Sequence, residues 1–260
     1  MSTQITTELI KELRDQTGIS VMQCKRALEE AEGDMEKALA ILKKTSSDIA
    51  LKKADRTAAD GAVMIKSETN GSALLVALHC ETDFVAHNED FLGLLSSLVE
   101  IASSEGIDTM KAKSKDLIDP IIQKTGEKIE LGDAYVVSGS TVGSYVHNNK
   151  QGVVVSLEGG SIELAKDIAM HIAAMKPEYM TESEISPEIQ KTMTEIFEKE
   201  VASIDKPEDI KKKMLEGKIN TYFKEKTLMS QLFIKDANET IEALLLKNKA
   251  KILEVKRYVI

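Results

Sequence analysis

The chain has 260 residues, 42% of them hydrophobic, and a formal net charge of −9, enough apolar material for one large domain or two to three small ones. Its acidity argues against broad contact with nucleic-acid phosphates, which takes a basic surface, and favours a protein as the partner. Only two cysteines, Cys24 and Cys80, occur, in regions of different character, which excludes a disulfide framework and fits reduced thiols. Met1-Ser2-Thr3-Gln4-Ile5 lacks the basic start and apolar core of a signal peptide, and no apolar run is long enough to span a bilayer. A cytoplasmic location without membrane contact is expected.

Residues 1–44 predict three short helices. Ile5, Leu9 and Leu13 stack at i, i+4 spacing, and Thr17-Gly18 closes the first. Ser20 opens the second with Gln23 as a capping box, and Val21, Cys24, Leu28 and Ala31 form its apolar face. Gly33-Asp34 repeats the stop and start ahead of Met35, Ala38, Leu39 and Leu42. Such a bundle has a thin core and suits a docking module better than an enzyme. Residues 46–60 turn small and polar, with Lys52, Lys53 and Arg56, and predict a linker with some helix.

From Gly61 the period shifts to that of strands. Ala62–Ile65 and Ala73–Leu78 flank Asn70-Gly71, a strong hairpin signal. A helix carrying Phe91, Leu95, Leu98, Val99 and Ala102 follows, then one from about Leu117 to Lys124, and then a strand from Ile129 to Val137. The pattern recurs: Gly143–His147 and Gly152–Leu157 flank Asn148-Asn149, and a helix runs from Ser161 to Met175, stopped by Pro177. Ser186-Pro187 and Pro207 start two further helices with polar outer faces. Leu228–Ile234 is an apolar, loop-like stretch ahead of a helix at Glu239–Lys247, and a strand from Ala250 to Ile260 completes the order. The expected fold class is α+β. It comprises a three-helix domain (1–45), a linker (46–60) and a core of two subdomains with antiparallel sheets (61–140; 141–180 with 228–260), plus a projecting antiparallel helical hairpin (181–227).

Three readings compete at the junction Cys80-Glu81-Thr82-Asp83-Phe84-Val85-Ala86-His87. At 100° per residue Phe84 falls on the stripe of Phe91 and Leu95, which makes it a core residue with Asp83 as a helix cap. A metal site would use His79, Cys80 and His87, but neighbouring strand residues point to opposite faces and no fourth ligand is at hand. Alternatively, Phe84 is a probe for another protein. Elsewhere no phosphate loop, dinucleotide fingerprint, zinc-protease motif or nucleophile elbow occurs. The four histidines are dispersed, and His171 reads as a satisfied core residue. No enzyme, cofactor or metal is expected.

Three ordered motifs carry a resemblance. They are Leu13-Arg14-Asp15-Gln16-Thr17-Gly18 running into Met22-Gln23-Cys24-Lys25-Arg26-Ala27-Leu28, then Cys80-Glu81-Thr82-Asp83-Phe84-Val85-Ala86, and then His171-Ile172-Ala173-Ala174 with Lys176-Pro177. With them the chain resembles, over essentially its whole length, the elongation factor Ts family, bacterial nucleotide exchange factors for the GTPase elongation factor Tu. The resemblance implies a ubiquitin-associated-like first domain and a wedge, Thr82, Asp83, Phe84 and Val85, that reaches the magnesium and phosphate site of elongation factor Tu and loosens GDP. It implies no direct nucleotide binding by the chain. By motif position, Arg14, Val21, Met22 and Lys25 grip the GTPase domain, and His147 and Ile234 meet the same partner. For Val21 and Met22 the competing reading is bundle core; for Ile234 it is burial under the last helix. His87 stands where the family commonly has Arg or Lys, and Val21 replaces a frequent methionine. The alternative function is a ubiquitin-associated-like adaptor without exchange activity.

Overall fold

The computed structural model describes residues 5–260, so Met1-Ser2-Thr3-Gln4 lies outside the described residues. The chain divides into two compact units. One holds the chain up to Val136 with Val146–Gly152 and Arg257–Ile260; the other holds Val137–Tyr145 and Val153–Lys256.

In the first unit, α1 (Thr7–Thr17), α2 (Val21–Glu30) and α3 (Met35–Lys53) close on a core of Leu13, Cys24, Leu28, Ala38 and Leu42. The local punctuation is that of the sequence: Gly18 takes φ 66° at the end of α1, while the Ser20 and Asp34 side chains accept from Gln23 N and Lys37 N. Residues 46–53, within the stretch expected as a linker with some helix, continue α3. They do so because this stretch has its own packing partner, α6 (Ile107–Thr125). Ser46 is buried between the Leu42 carbonyl and the Gln123 side chain, Ser47 donates to Asp119 Oδ2 at 2.6 Å, and Lys43 pairs with Asp116 at 2.9 Å. The bundle is therefore fastened to the rest of its unit.

Strands β1 (Asp60–Ser67) and β2 (Ser72–Cys80) pair antiparallel from Asp60↔Cys80 to Ser67↔Ala73, and β3 (Ile129–Ser138) joins on the other side of β2. The central strand β2 is buried over six consecutive residues, Ala73–Leu78, which explains its unbroken apolar run. Leu74, Val76, Leu78 and Cys80 pack with Phe91, Leu95 and Leu98 of α5 (Glu89–Glu105) and with Met110, Ile118 and Ile122 of α6. The helix expected from about Leu117 begins ten residues earlier by this account, at Ile107. Its first half, Ile107-Asp-Thr-Met-Lys-Ala-Lys-Ser-Lys-Asp, is polar apart from a thin inward line through Met110 and Ser114.

In the second unit the core is built by α7 (Ile162–Met175) and by β5 (Gln151–Glu158) from Val153 on, flanked by β4 (Thr141–His147) up to Tyr145 and by β8 (Lys251–Val259) up to Lys256, the other ends of these strands belonging to the first unit. Val153, Val155, Leu157, Ile168 and Ile172 meet Leu228, Phe233 and Ile241 there. Asn148 and Asn149, φ 48° and 56°, make the β4–β5 turn, the left-handed pair a tight hairpin requires. Helices α8 (Pro187–Ala202) and α9 (Glu208–Lys226) pack on each other, with Ser186 capping the first. Residues 228–234, expected as a loop, form a 3₁₀ turn (Leu228–Ser230) and β6 (Leu232–Phe233), paired antiparallel with β7 (Asp236–Thr240). The last helix, α10 (Ile241–Lys247), accordingly starts two residues later than expected, after Thr240 as its cap.

Candidate partner-binding site

The end of β2 runs into a helix of only four residues, α4 (Asp83–Ala86). Thr82, not Asp83, is its cap: its side chain accepts from Val85 N, and Asp83 occupies the first helical position. His87 N donates to Asp83 O at 3.1 Å and the His87 ring Nδ1 donates to the same oxygen at 2.7 Å, ending the helix. Asn88 then caps α5 by accepting from Asp90 N at 2.8 Å.

This break decides the aromatic pair. Val85 and Ala86 turn inward and are buried, while Asp83 is exposed and Phe84 is 85% exposed. Phe91 and Leu95 are fully buried. The core reading of Phe84 fails because α4 and α5 are separate helices, so the 100° count does not carry across Asn88. Full burial of a phenylalanine stabilises by about 1.5–3 kcal/mol, and the free fold forgoes most of it at this position. Of the expected wedge residues, Asp83 and Phe84 are presented outward, Thr82 is engaged as a cap, and Val85 is an anchor in the core.

His79 and Cys80 diverge rather than converge. The ring Nε2 of His79 lies 2.7 Å from the Tyr258 hydroxyl, and the Cys80 thiol donates to Thr82 O at 3.1 Å. Burial, aided by the carboxylates of Asp60 and Glu127, pushes the Cys80 thiol up to about 12, so it stays protonated. Among the described residues no cluster of three His, Cys, Asp or Glu side chains is arranged to hold a metal ion.

Asp60, opposite Cys80 in the sheet, also engages the β4–β5 turn. Lys150 Nζ pairs with its carboxylate and donates to Gly61 O at 2.9 Å, and Asn149 O accepts from Val63 N at 2.6 Å. Burial raises the Asp60 pKa, but the hydrogen bonds from Lys150 and Gly61 N outweigh it and hold the carboxyl below its usual range. The exposed His147, at the end of β4, thus belongs to the same unit as Phe84 and is carried on a turn tied to β1.

On the bundle, Val21 and Met22 are 49% and 59% exposed, which removes the core reading for both. Arg14 is exposed on α1, and Lys25 is exposed beside Glu29 at 3.7 Å.

Ile234 lies in the second unit and is 45% exposed just after β6, with Leu232 at 51%. The reason it stands out lies beneath it. His171 is fully buried; its Nδ1 accepts from Ile234 N at 3.2 Å and its Nε2 is 2.9 Å from Gln231 Oε1. Accepting at Nδ1 makes Nε2 the protonated nitrogen. Gln231 Nε2 in turn donates to Glu225 O at 2.6 Å. Burial lowers the His171 pKa, only partly offset by Gln231. The neutral ring is kept in the fold while the unfolded chain protonates near pH 6.5. Stability is therefore unaffected above that pH and falls as pH drops below about 6.5 toward the folded-state value. Thermal midpoints between pH 7.5 and 5 should show a drop that His171→Asn flattens; an equal drop in both proteins would refute the assignment.

Comparison with known proteins completes the picture. A family model described as Elongation factor TS matches residues 81–260, which takes in Thr82, Asp83, Phe84, Val85, His147 and Ile234. A protein of Hahella chejuensis named Elongation factor Ts is 41% identical over 98% of this chain and 91% of its own length. The chain belongs to the elongation factor Ts family. Proteins of that name from Teredinibacter turnerae and Aeromonas hydrophila are 40% and 39% identical over 98% of this chain and 90% of theirs. The alignments to these elongation factor Ts relatives extend beyond the family model to the segment that carries Arg14, Val21, Met22 and Lys25. No helix among the described residues is long and apolar enough to cross a membrane.

Proposed function

We propose that the chain is a guanine nucleotide exchange factor. It binds elongation factor Tu carrying GDP and speeds GDP release by driving Asp83 and Phe84 against the magnesium and phosphate site of that GTPase. The observation that carries the reading is an aromatic ring 85% exposed on a four-residue helix whose last two residues, Val85 and Ala86, are sunk in the core, in a member of this family. A single exposed ring on a fixed mount is what a wedge needs, and it has no role in the free fold.

In this reading the chain acts by binding, not by covalent chemistry, and binds no nucleotide itself. Exchange is reciprocal: the factor weakens nucleotide by the same ratio that nucleotide weakens the factor, so GTP rebinding expels it. A 10⁴-fold weakening takes about 5.5 kcal/mol of differential binding, more than one wedge supplies. Arg14, Val21, Met22 and Lys25 on the bundle, His147 on its turn and Ile234 in the second unit supply the remainder. Helices α1–α3 serve as a ubiquitin-associated-like docking domain, and the protein works in the cytoplasm. Stopped-flow release of labelled GDP from elongation factor Tu tests the proposal: micromolar chain should accelerate release, and an unchanged rate would dismiss it.

A further inference from the structure

We propose that Glu127 is a positioning residue for the Asp83–Phe84 tip, an inference that rests on the exchange reading above. The strand β2 ends at Cys80, so the backbone N–H groups of Glu81 and Thr82 enter the tip without a ladder partner. Both find the same carboxylate, at 3.2 and 3.0 Å from Glu127 Oε2, and Thr82 Oγ1 donates to Glu127 Oε1 at 2.6 Å.

Three donors on one carboxylate use a capacity that no neutral side chain has, since a carboxylate accepts on both oxygens. The third bond also fixes the polarity of the cap. With its proton committed to Glu127, the Thr82 hydroxyl turns a lone pair toward Val85 N, the contact that starts α4. The grip is returned from the other side, because Glu81 Oε1 accepts from Lys128 N at 2.6 Å and Arg56 Nη1 lies 3.2 Å from it. The N–H of Lys128, then the Arg56 guanidinium, hold the Glu81 carboxyl below its usual range.

Glu127 itself follows Gly126, which closes α6 at φ 78° and turns the chain back toward β3. The residue two places before Phe84 is thus pinned from a segment 45 residues away in sequence. Rotation about a loosened Thr82 swings the ring, whereas the binding contacts on the bundle and at Ile234 stay where they are. The effect therefore belongs to the rate at saturation and not to half-saturation.

The test uses the full chain with elongation factor Tu and labelled GDP, comparing Glu127→Asp, which withdraws the carboxylate by one methylene, with Glu127→Gln, which keeps its length and one acceptor oxygen. Glu127→Asp should lower the release rate at saturating factor about tenfold, the equivalent of one charge-assisted hydrogen bond, while half-saturation moves by less than about twofold. Glu127→Gln should recover part of that loss, and amide exchange at Glu81 and Thr82 in the free chain should quicken in the order Gln, then Asp. A wild-type rate in Glu127→Asp, or a loss confined to half-saturation, overturns the proposal. If the aspartate variant fails to fold, a wild-type rate in Glu127→Gln overturns it equally. Phe84→Ala runs alongside: if it is also without effect the exchange reading falls, and if it slows release while Glu127→Asp does not, only the role of Glu127 falls.

Discussion

Replacing Phe84 by alanine is expected to slow the GDP release that the chain induces in elongation factor Tu by about 30-fold, the equivalent of ~2 kcal/mol for a buried aromatic anchor. The same substitution should leave the free chain's stability within about 0.5 kcal/mol, because an exposed side chain loses little on truncation. The two measurements together separate a contact residue from a structural one. Unaltered release with Phe84→Ala would remove the wedge from the mechanism and leave a binding module attached to the bundle. A large loss of stability would mean that Phe84 is held in a core that the structure does not contain.

The converse behaviour is expected seven residues on. Phe91 is fully buried at the start of α5 against β2 and α6, so Phe91→Ala leaves a cavity and forfeits transfer free energy, a loss of about 3–5 kcal/mol. Urea unfolding followed through the first unit should show it as a lowered midpoint with little change in slope. Exchange activity, measured well below that midpoint, should stay near the wild-type level, since Thr82 caps α4 and is held by Glu127 through hydrogen bonds that do not involve Phe91. A stability loss under about 1 kcal/mol would contradict the packing described here.

Much of the architecture is legible because its signals are local. Asn70-Gly71 and Asn148-Asn149 announce their turns through backbone conformations that few residues tolerate, with φ positive at Gly71 and at both asparagines of the second pair. Ser20, Ser161 and Ser186 announce helix starts through side chains that accept from the third residue on. The misreadings share a cause of the opposite kind. The end of α3 is a polar stretch whose helical state is stabilised by Asp119 and Gln123 in the second half of α6, the first half of α6 shows only a thin apolar line, and β6 is two residues long with a register shift between Leu232 and Phe233. Phe84 misleads a periodicity count because the helix it seems to belong to is interrupted, and the interruption rests on Asn88, one capping residue. Glu127 leaves no local mark at all, since the two residues that donate to it, Glu81 and Thr82, lie in another segment. His171, by contrast, is legible as a core histidine, but its grip on Ile234 N is not.

The bond between His79 and Tyr258 joins residues 179 apart in sequence, and Ile260 N donates to Lys150 O at 2.9 Å in the same unit. Most of the first unit, from the bundle through β3, is local in sequence and free to assemble while the chain is still being made. Its last pieces, however, come from the far end of β8, after the entire helical hairpin has been synthesised. Closing so long a loop is slow and comes late in folding. In a chain made from its N-terminus, Asp83, Phe84 and the sheet that carries them are therefore complete in sequence well before Tyr258, the partner that closes over His79 at the end of β2.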